Sequence, residues 1–459
     1  MQTSAQPNKT ARHKEIPVAS THPTAIAAHT ADEAALAVER SLLALKTRVE
    51  RRDYAGHEPF DLLNSPLLQG RWARWWPLGV IFVQFGKRFV GLRWRRWLRV
   101  PQSKNPKALG LFLSAYCDLA RCGDDTRNAA AYLKSELKRL RSPHEPEYCW
   151  GYDWDYVSRG GRMPAFSPNC IATCFCAHAL LDMAEVFGDP EAQEMAESAG
   201  RFLVTRLHRP EDTREHLCFS YTPRDHMKIY NASAHVGALL ARLAPRGSEY
   251  AHMARRAMNY LVACQQPDGS WYYGASPLYR WIDGFHTAYN LGALLGYERS
   301  TSDTTFDDAL RLGYRYYVSN FFRPDGAPKY FHNSVYPIDI HSCSQAILTF
   351  CEFAEHDTRA RERALQVTRW TLEHMRGADG AFFFQRHRFW TNRTPYIRWG
   401  QAWMLHALAR LKRQYLGREA WRTETEGLNS RRSPQPDSEP LPVEAETPYE
   451  EQRNPCLPS

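Results

Sequence analysis

The sequence has little that would place it inside a membrane. Its longest apolar run, residues 77–83, is far shorter than the ~20 residues that a spanning helix needs. The first residues, MQTSAQPNKTARHKEIPVASTHPTAIAAHT, lack the apolar core of a secretory signal. We therefore expect a cytoplasmic protein. The 11 cysteines are odd in number and mostly fall within helical patterns, which indicates reduced core residues.

Several functional motifs are missing as well. There is no phosphate-binding loop, no Rossmann glycine fingerprint and no HEXXH motif. Cys170 and Cys174 could share a helix face, but no second pair at a recognised spacing supports a metal site. We therefore predict neither a metal nor another cofactor. The net charge is +9, yet no nucleic-acid-binding module is recognisable, so we do not expect nucleic acid as a partner.

Acidic residues are absent from the segment 71–100, which carries eight lysines and arginines and five tryptophans. Such a segment suits an anionic lipid surface or an anionic polymer. The alternative is an aromatic brace that packs on the outside of the domain and leaves its arginines in water. We keep all three interpretations, among them peripheral contact with the inner face of the inner membrane.

The two ends of the chain differ in composition from the middle. Residues 1–29 are polar and aperiodic, and residues 417–459 are rich in proline amid charged residues and serine. Both compositions are typical of disorder. We therefore expect one folded domain over residues 30–416.

A repeat runs through the second half of this domain. QPDGSWYYG, RPDGAPKYF and GADGAFFFQ each contain Asp-Gly followed by aromatic residues and, further on, a new helical pattern. Asp-Gly favours a tight turn, because glycine accepts positive φ and aspartate bonds the local backbone. A turn that recurs at similar spacing indicates a repeat architecture.

Helical patterns of two kinds alternate between these turns. Inner-type helices, rich in alanine, glycine, cysteine and leucine, are expected to start near Asn105, Pro168, Asn231, Phe285, Ile340 and Tyr396. More charged outer-type helices are expected at 125–141, 190–207, 247–265, 303–319 and 358–375. The amphipathic segment 31–53 supplies the missing sixth outer helix. We therefore predict an all-α fold, an (α/α)6 toroid of six helical hairpins closed by an N-terminal helix.

Gln266 to Trp271 resembles the QW motif of terpenoid-cyclase toroids, but the acidic D-x-D-D motif of the cyclases is missing. NPKALGLFLSAYCDLARCGD, CWGYDWDYVSRG, PNCIATCFCAHALLDMAEVFGD, WIDGFHTAYNLGAL and YPIDIHSCSQAI resemble bacterial toroid proteins of exopolysaccharide gene clusters, the VpsJ type. These proteins are similar in fold to six-hairpin glycosidases and to the helical domains of glucuronyl epimerases. The resemblance implies a role in polysaccharide metabolism. It does not identify catalytic residues in this sequence.

In such a toroid the connections into the inner helices converge at one end of a funnel. Asp283 with His286 and Asp339 with His341 occupy the same place in adjacent repeats, so both pairs should reach it. A carboxylate beside an imidazole fixes the tautomer and gives a general acid or base near neutral pH. The alternative is structural, with each aspartate as a helix N-cap.

Asp153 and Asp155 form a second candidate catalytic pair, with Arg159 nearby. Residues i and i+2 of an extended loop point the same way, and glycoside hydrolysis needs two carboxylates. Loop capping and an Asp–Arg pair are the alternative. Other side chains of the connections would bind sugar, the aromatic ones through their ring faces and the arginines through a carboxylate of the sugar: Arg159, Trp154, Arg280, Trp281, Tyr230, Tyr396, Arg398 and Trp399.

The sequence thus predicts a carbohydrate-active enzyme of bacterial exopolysaccharide synthesis or modification. It would act on an acidic polysaccharide or oligosaccharide as a hydrolase, lyase or epimerase. The alternative is a non-catalytic glycan-binding or scaffold protein of a membrane-associated synthesis complex.

Overall fold

The computed structural model describes residues 23–68, 75–158, 161–245 and 248–416. These residues form α1 Pro23–Arg51, α2 Trp76–Phe89, α3 Leu92–Trp97, α4 Pro106–Arg121, α5 Arg127–Arg139, α6 Cys170–Phe187, α7 Pro190–Arg206, α8 Tyr230–Leu243, α9 Glu249–Ala263, α10 Gly284–Thr301, α11 Asp307–Asn320, α12 Ile340–Glu352, α13 Ala360–His374 and α14 Trp403–Leu411. A π-helical turn, Ile397–Ala402, leads into α14.

Strands are short and confined to the connections. They are β1 Tyr156–Ser158, β2 Gly161–Met163, β3 Glu211–Asp212, β4 Leu217–Cys218, β5 Ile338–Asp339, β6 Gln385–Arg386 and β7 Thr391–Asn392. β1 pairs with β2 and β3 with β4, while β5, β6 and β7 form an antiparallel sheet in that order. This sheet ties together the connections into the last two inner helices.

The inner helices α4, α6, α8, α10, α12 and α14 form a closed ring. Each contacts the next, and α14 returns to α4. The outer helices α5, α7, α9, α11 and α13 pack on the inner helix that precedes each of them, and α1 packs outside α14. The described residues therefore confirm the (α/α)6 toroid and its closure by an N-terminal helix.

The closing helix α1 is held by apolar and polar contacts. Leu42, Leu45 and Val49 are buried, and the guanidinium of Arg48 lies 2.7 Å from the carboxylate of Asp379 in the turn after α13. α1 begins at Pro23, within the segment 1–29 that we expected to be disordered. Proline suits the first helical position and the alanine-rich sequence that follows has high helix propensity, which explains the longer helix.

The three Asp-Gly turns share one geometry. Gly269, Gly326 and Gly380 have φ of 91°, 89° and 79°. In each turn the preceding aspartate accepts a hydrogen bond from the backbone N–H two residues on, at 2.9–3.2 Å. A Cβ at Gly269 would also lie 2.6 Å from the carbonyl oxygen of Leu312. The repeat therefore reflects both turn conformation and close packing on the next outer helix.

The QW-like stretch has a packing role. The indole of Trp271 is buried, donates to the carbonyl of Leu261 at 2.9 Å and lies against Gly313 of α11. It therefore joins one outer helix to the next.

One described helix, α6, is long and apolar enough to cross a membrane by length and composition. It is an inner helix with 61% of its residues buried in the protein, and packing between α4 and α8 accounts for its apolar composition.

Ring closure by α1 can be tested with two leucines of that helix. Leu45 is fully buried, so Leu45→Ala should lower the free energy of unfolding by about 2–5 kcal/mol. Leu43 is 64% exposed on the same helix, so Leu43→Ala should stay within about 0.5 kcal/mol of wild type. Urea unfolding followed by circular dichroism measures both. Equal effects would show that α1 is not part of the closed ring.

Candidate active site

The inner helices all begin at one end of the ring. The second residues of α4, α6, α8, α10 and α12, and of the π-helical turn that leads into α14, are all buried. These residues are Lys107, Ile171, Asn231, Phe285, His341 and Arg398, each 2–4% exposed. Four of the helices start with an Asn or Asp whose side chain accepts a backbone N–H: Asn105, Asn169, Asp283 and Asp339. This cap fixes the helix start, and therefore also the residue that faces the axis.

One helical turn deeper, aromatic side chains meet near the axis. The ring of Phe175 is 5.0 Å from His235, 5.6 Å from Tyr289 and 5.2 Å from Trp403, measured between centroids. The ammonium of Lys107 lies 4.0 Å from the centroid of Phe175 and 3.5 Å from the hydroxyl of Tyr289. Among the residues that the structure describes, Lys107 forms no ion pair with a carboxylate. Burial lowers the pKa of Lys107 well below its ordinary value.

Asp283 and His286 form a hydrogen-bonded pair. Asp283 Oδ1 accepts the backbone N–H of His286, and Oδ2 lies 2.7 Å from the ring nitrogen Nδ1. The indole of Trp281 donates to the same Oδ2 at 2.9 Å. With its proton on Nδ1, His286 keeps Nε2 free for proton transfer. The imidazole of His286 is 20% exposed, whereas the carboxylate of Asp283 beside it is 1% exposed.

Asp339 and His341 stand in the same place of the next repeat but are bonded differently. Asp339 accepts the backbone N–H of His341 at 2.8 Å, the indole of Trp399 at 2.8 Å and the amide of Gln385 at 2.6 Å. The His341 ring instead meets the hydroxyl of Tyr289, at 2.9 Å from Nε2. Burial raises the pKa of Asp339 and lowers that of His341. Tyr289 and His341 therefore form a hydrogen-bonded pair, while the carboxylate of Asp339 caps the helix start.

Arg398 pairs with a residue that the sequence analysis did not identify. Its guanidinium lies 3.1 Å from the carboxylate of Glu58, which also accepts its backbone N–H at 2.9 Å. The guanidinium also lies 5.1 Å from the ring centroid of Trp154, and Trp154 stacks on Tyr152 at 4.8 Å. Burial raises the pKa of Glu58 to about 8.

The candidate pair Asp153 and Asp155 is engaged in local structure. Asp153 accepts hydrogen bonds from Asn105 at 2.6 Å and from Ser103, so both its oxygens are used. Asp155 accepts the backbone N–H of Ala165 at 3.1 Å. Burial raises the pKa of Asp153. Arg159 lies outside the described residues.

The remaining predicted sugar-binding residues fall into two groups. Tyr230 and Tyr396 are buried at helix starts, and burial raises the pKa of Tyr396 to about 12. Arg280 is exposed, while Trp281 is half-buried and stacks on Tyr273 at 4.6 Å between centroids. Trp281 therefore lies at the edge of the site, and its indole also donates a hydrogen bond to Asp283.

A pocket of about 480 Å³ opens beside this group. Its lining residues come from α2, from the loop before β5 and from the β6–β7 hairpin: Gln84, Lys87, Arg88, Tyr330, Phe331, Tyr336, Pro337, Gln385, His387, Arg388, Phe389 and Trp390. Gln385 reaches from the pocket wall to Asp339. The ammonium of Lys87 lies 5.4 Å from the centroid of Trp399, and burial lowers its pKa. Two residues of the pocket lining, Gln385 and Lys87, therefore contact Asp339 and Trp399 of the site.

Lys107, Lys87 and Glu58 are the functional candidates that sequence reasoning missed. Lys107 carried a usable signal, since it lies two residues after the cap Asn105, as His341 lies two residues after Asp339. Glu58 and Lys87 belong to the long connection between α1 and α4, and no repeat marks their positions.

A second pocket of about 210 Å³ lies between α1, α3 and the start of the last inner helix. Neither pocket is lined by a predicted site residue, and the lining of this one includes Arg48, Arg52 and Arg96. No group of three His, Cys, Asp or Glu side chains suited to a metal ion occurs among the residues that the structure describes.

Comparison with known proteins supports the fold. No family profile matches the chain, and no curated protein matches it. Among solved structures, cellobiose 2-epimerase from Bacillus thermoamylovorans B4167 is similar over 69% of this chain and 90% of its own, with 11% identity and a TM-score of 0.54. A GH76 α-mannanase from Bacteroides thetaiotaomicron is similar over 72% of this chain and 89% of its own, with 12% identity and a TM-score of 0.52. The chain therefore has the fold of six-hairpin glycosidases and sugar epimerases.

Replacement of the buried lysine should stabilise the protein. Lys107→Met keeps the volume and removes a desolvated ammonium, so the free energy of unfolding should rise by roughly 1–4 kcal/mol. Because the pKa of Lys107 is lowered in the folded state, wild-type stability rises with pH between that pKa and 10.5. The gain from Lys107→Met should therefore be largest below this window and shrink through it. Thermal unfolding at several pH values measures it.

Lys138→Met is the matched control, since Lys138 is 55% exposed on α5 and pairs only at the surface. We expect a change within about 1 kcal/mol, without the same pH dependence. A Lys107→Met variant less stable than wild type would show that the ammonium is well compensated.

Proposed function

We propose that this protein is an enzyme that acts on an acidic glycan in bacterial exopolysaccharide synthesis or modification. The observation that carries the proposal is that the buried amine of Lys107 and the buried guanidinium of Arg398 meet two hydrogen-bonded imidazoles at one end of the ring. The fold it shares with sugar epimerases and glycosidases supports a carbohydrate substrate.

The charge of the site supports an acidic sugar. Lys107 has no recorded carboxylate partner among the described residues, and Arg398 has one, Glu58. Lys87 reaches the same floor from the pocket side. The guanidinium of Arg398 could bind a uronic carboxylate through two hydrogen bonds, and the same carboxylate would favour the protonated form of Lys107. Trp399 and Trp154 supply flat faces for the sugar ring.

The hydrogen bonding favours proton transfer over direct hydrolysis. Asp153 and Asp155 are used by local structure, so neither offers a free carboxylate pair. His286, oriented by Asp283, would take the proton from the carbon next to the sugar carboxylate. The Tyr289–His341 pair would return a proton on the opposite side in an epimerase, or protonate the leaving oxygen in a lyase.

One observation favours a non-catalytic glycan-binding or scaffold role. Lys107, His341 and Arg398 are each 2–3% exposed, so the floor of the site is closed in this conformation. A protein that only binds glycan could use the outer pocket without reaching these groups.

Proton NMR of an acidic exopolysaccharide with the protein in D₂O tests the proposal. Deuterium entering the sugar ring would establish epimerisation, a new alkene proton would establish a lyase, and new reducing-end signals would establish hydrolysis. His286→Ala and His341→Ala should each lower the rate by about 10²–10⁴-fold, because each removes a proton-transfer group. Retained helicity in circular dichroism would separate this loss from unfolding.

His252→Ala is the matched control, because His252 is exposed on the outer helix α9. It should keep the wild-type rate. Line broadening of the glycan without any new signal would favour the scaffold role. Full activity of both site variants would exclude the assigned residues.

We further propose a cytoplasmic location at the inner face of the inner membrane. Trp75, Trp94 and Trp97 are 63%, 60% and 69% exposed, so these indoles do not form the packed brace. Arg95, by contrast, is fully buried and lies 3.3 Å from Asp61, which fixes α3 to the domain. Trp72, Arg71 and Arg74 lie outside the described residues.

Flotation with phosphatidylglycerol vesicles measures this contact. Neutralising Arg88, Arg93, Arg96 and Arg99 to glutamine should weaken binding by about 10²-fold or more at low salt, since each basic residue near the surface contributes about 1 kcal/mol. The matched control neutralises Arg201, Arg255, Arg311 and Arg359 on the outer helices, with the same change in net charge. Equal losses in the two variants would mean that only net charge matters.

A further inference from the structure

An exposed aromatic face lies directly beside the pocket. Ile81, Phe85 and Phe89 recur every fourth residue of α2 and are 61%, 55% and 58% exposed. Phe89 stacks on Trp390 of the β6–β7 hairpin, with 6.4 Å between ring centroids, and neighbouring Phe389 is 87% exposed. Two segments far apart in sequence therefore build one apolar surface, which we call the aromatic face.

The charge around the aromatic face has one sign. Residues 75–100 contain no Asp or Glu, and neither do residues 385–393 of the hairpin. Arg88 and Arg388 are exposed at its edge. Aromatic side chains with surrounding arginines match the interface of an anionic membrane, where the rings enter the headgroup region and the arginines meet phosphates.

The pocket and the aromatic face share residues. Arg88, Phe389 and Trp390 line the pocket and border the face. On α2, Gln84, Lys87 and Arg88 face the pocket, while the stripe with Phe85 and Phe89 is exposed. When the aromatic face lies on a membrane, the pocket therefore opens at the membrane surface. Its volume of about 480 Å³ suits a short saccharide.

We infer that the substrate is an acidic saccharide carried on a membrane lipid. The sugar enters the pocket toward Lys87 and Trp399 while its lipid stays in the bilayer under the aromatic face. The inference rests on the proposed function, because it identifies the carrier of the glycan that the funnel would act on. Lys87 and Arg388 supply the positive charge for the sugar carboxylate.

Vesicle binding with a defined lipid tests the inference. The probe is glucuronosyl-diacylglycerol in phosphatidylcholine vesicles, compared with phosphatidylglycerol at the same mole fraction and hence the same charge. Saturation-transfer NMR with methyl glucuronide measures the sugar without a lipid. We expect the glucuronosyl lipid to bind at least about tenfold more tightly than phosphatidylglycerol, as a charged hydrogen-bonding contact would give.

Two sets of variants separate the pocket from the face. Lys87→Met or, at an exposed position, Arg388→Gln should reduce the preference for the glucuronosyl lipid toward one. Ile81→Ser with Phe85→Ser changes two exposed side chains of the aromatic face that do not line the pocket, so it should weaken binding to every vesicle and leave methyl glucuronide binding unchanged.

The outcomes distinguish the two proposals. Equal binding of both lipids would overturn the lipid-carried substrate and leave the acidic-glycan function standing. Methyl glucuronide that binds as tightly as the glucuronosyl lipid would have the same meaning. No binding of any glucuronide would overturn both. A dimer in light scattering that the variant Ile81→Ser with Phe85→Ser dissociates would show that a second copy covers the aromatic face, which also overturns the inference.

Discussion

The hydrogen bond from an Asn or Asp side chain to the backbone at the start of an inner helix is the interaction on which the site depends. Four inner helices begin in this way, at Asn105, Asn169, Asp283 and Asp339. Each cap fixes the first turn of its helix, so the side chain two residues later lies on the inner side of the ring. Because the hairpins repeat around a closed ring, these side chains converge at one end. The fold therefore assembles a site from residues that are far apart in sequence.

The residues collected in this way are costly for stability. Lys107 and Arg398 meet near the axis. Among the described residues Arg398 pairs with the carboxylate of Glu58, whereas Lys107 is surrounded by aromatic rings. Rings attract a cation but do not replace its hydration shell, and the lowered pKa of Lys107 reflects that cost. A purely structural core would gain by having an apolar side chain here. A buried lysine and arginine kept at this position are an argument for a ligand of opposite charge.

The fold could be predicted from sequence because its signals are local. Helix periodicity and the Asp-Gly turns each depend on a few neighbouring residues. The site could be predicted only in part. Asp283 and Asp339 occupy equivalent positions, yet one binds an imidazole and the other binds Trp399 and Gln385, since their neighbours come from different connections. Asp153 does point inward, but Asn105 and Ser103, distant in sequence, already use its oxygens. Glu58 and Lys87 had no repeat to mark them.

The connection between α1 and α4 has two roles that other connections lack. Its helix α2 lines the pocket, and its residues Glu58 and Lys87 contact Arg398 and Trp399 at the start of the last inner helix. The opposite side of α2 exposes Phe85 and Phe89. Both faces belong to one helix of 14 residues. A ligand in the pocket and a surface against the aromatic face would therefore contact the same helix from two sides.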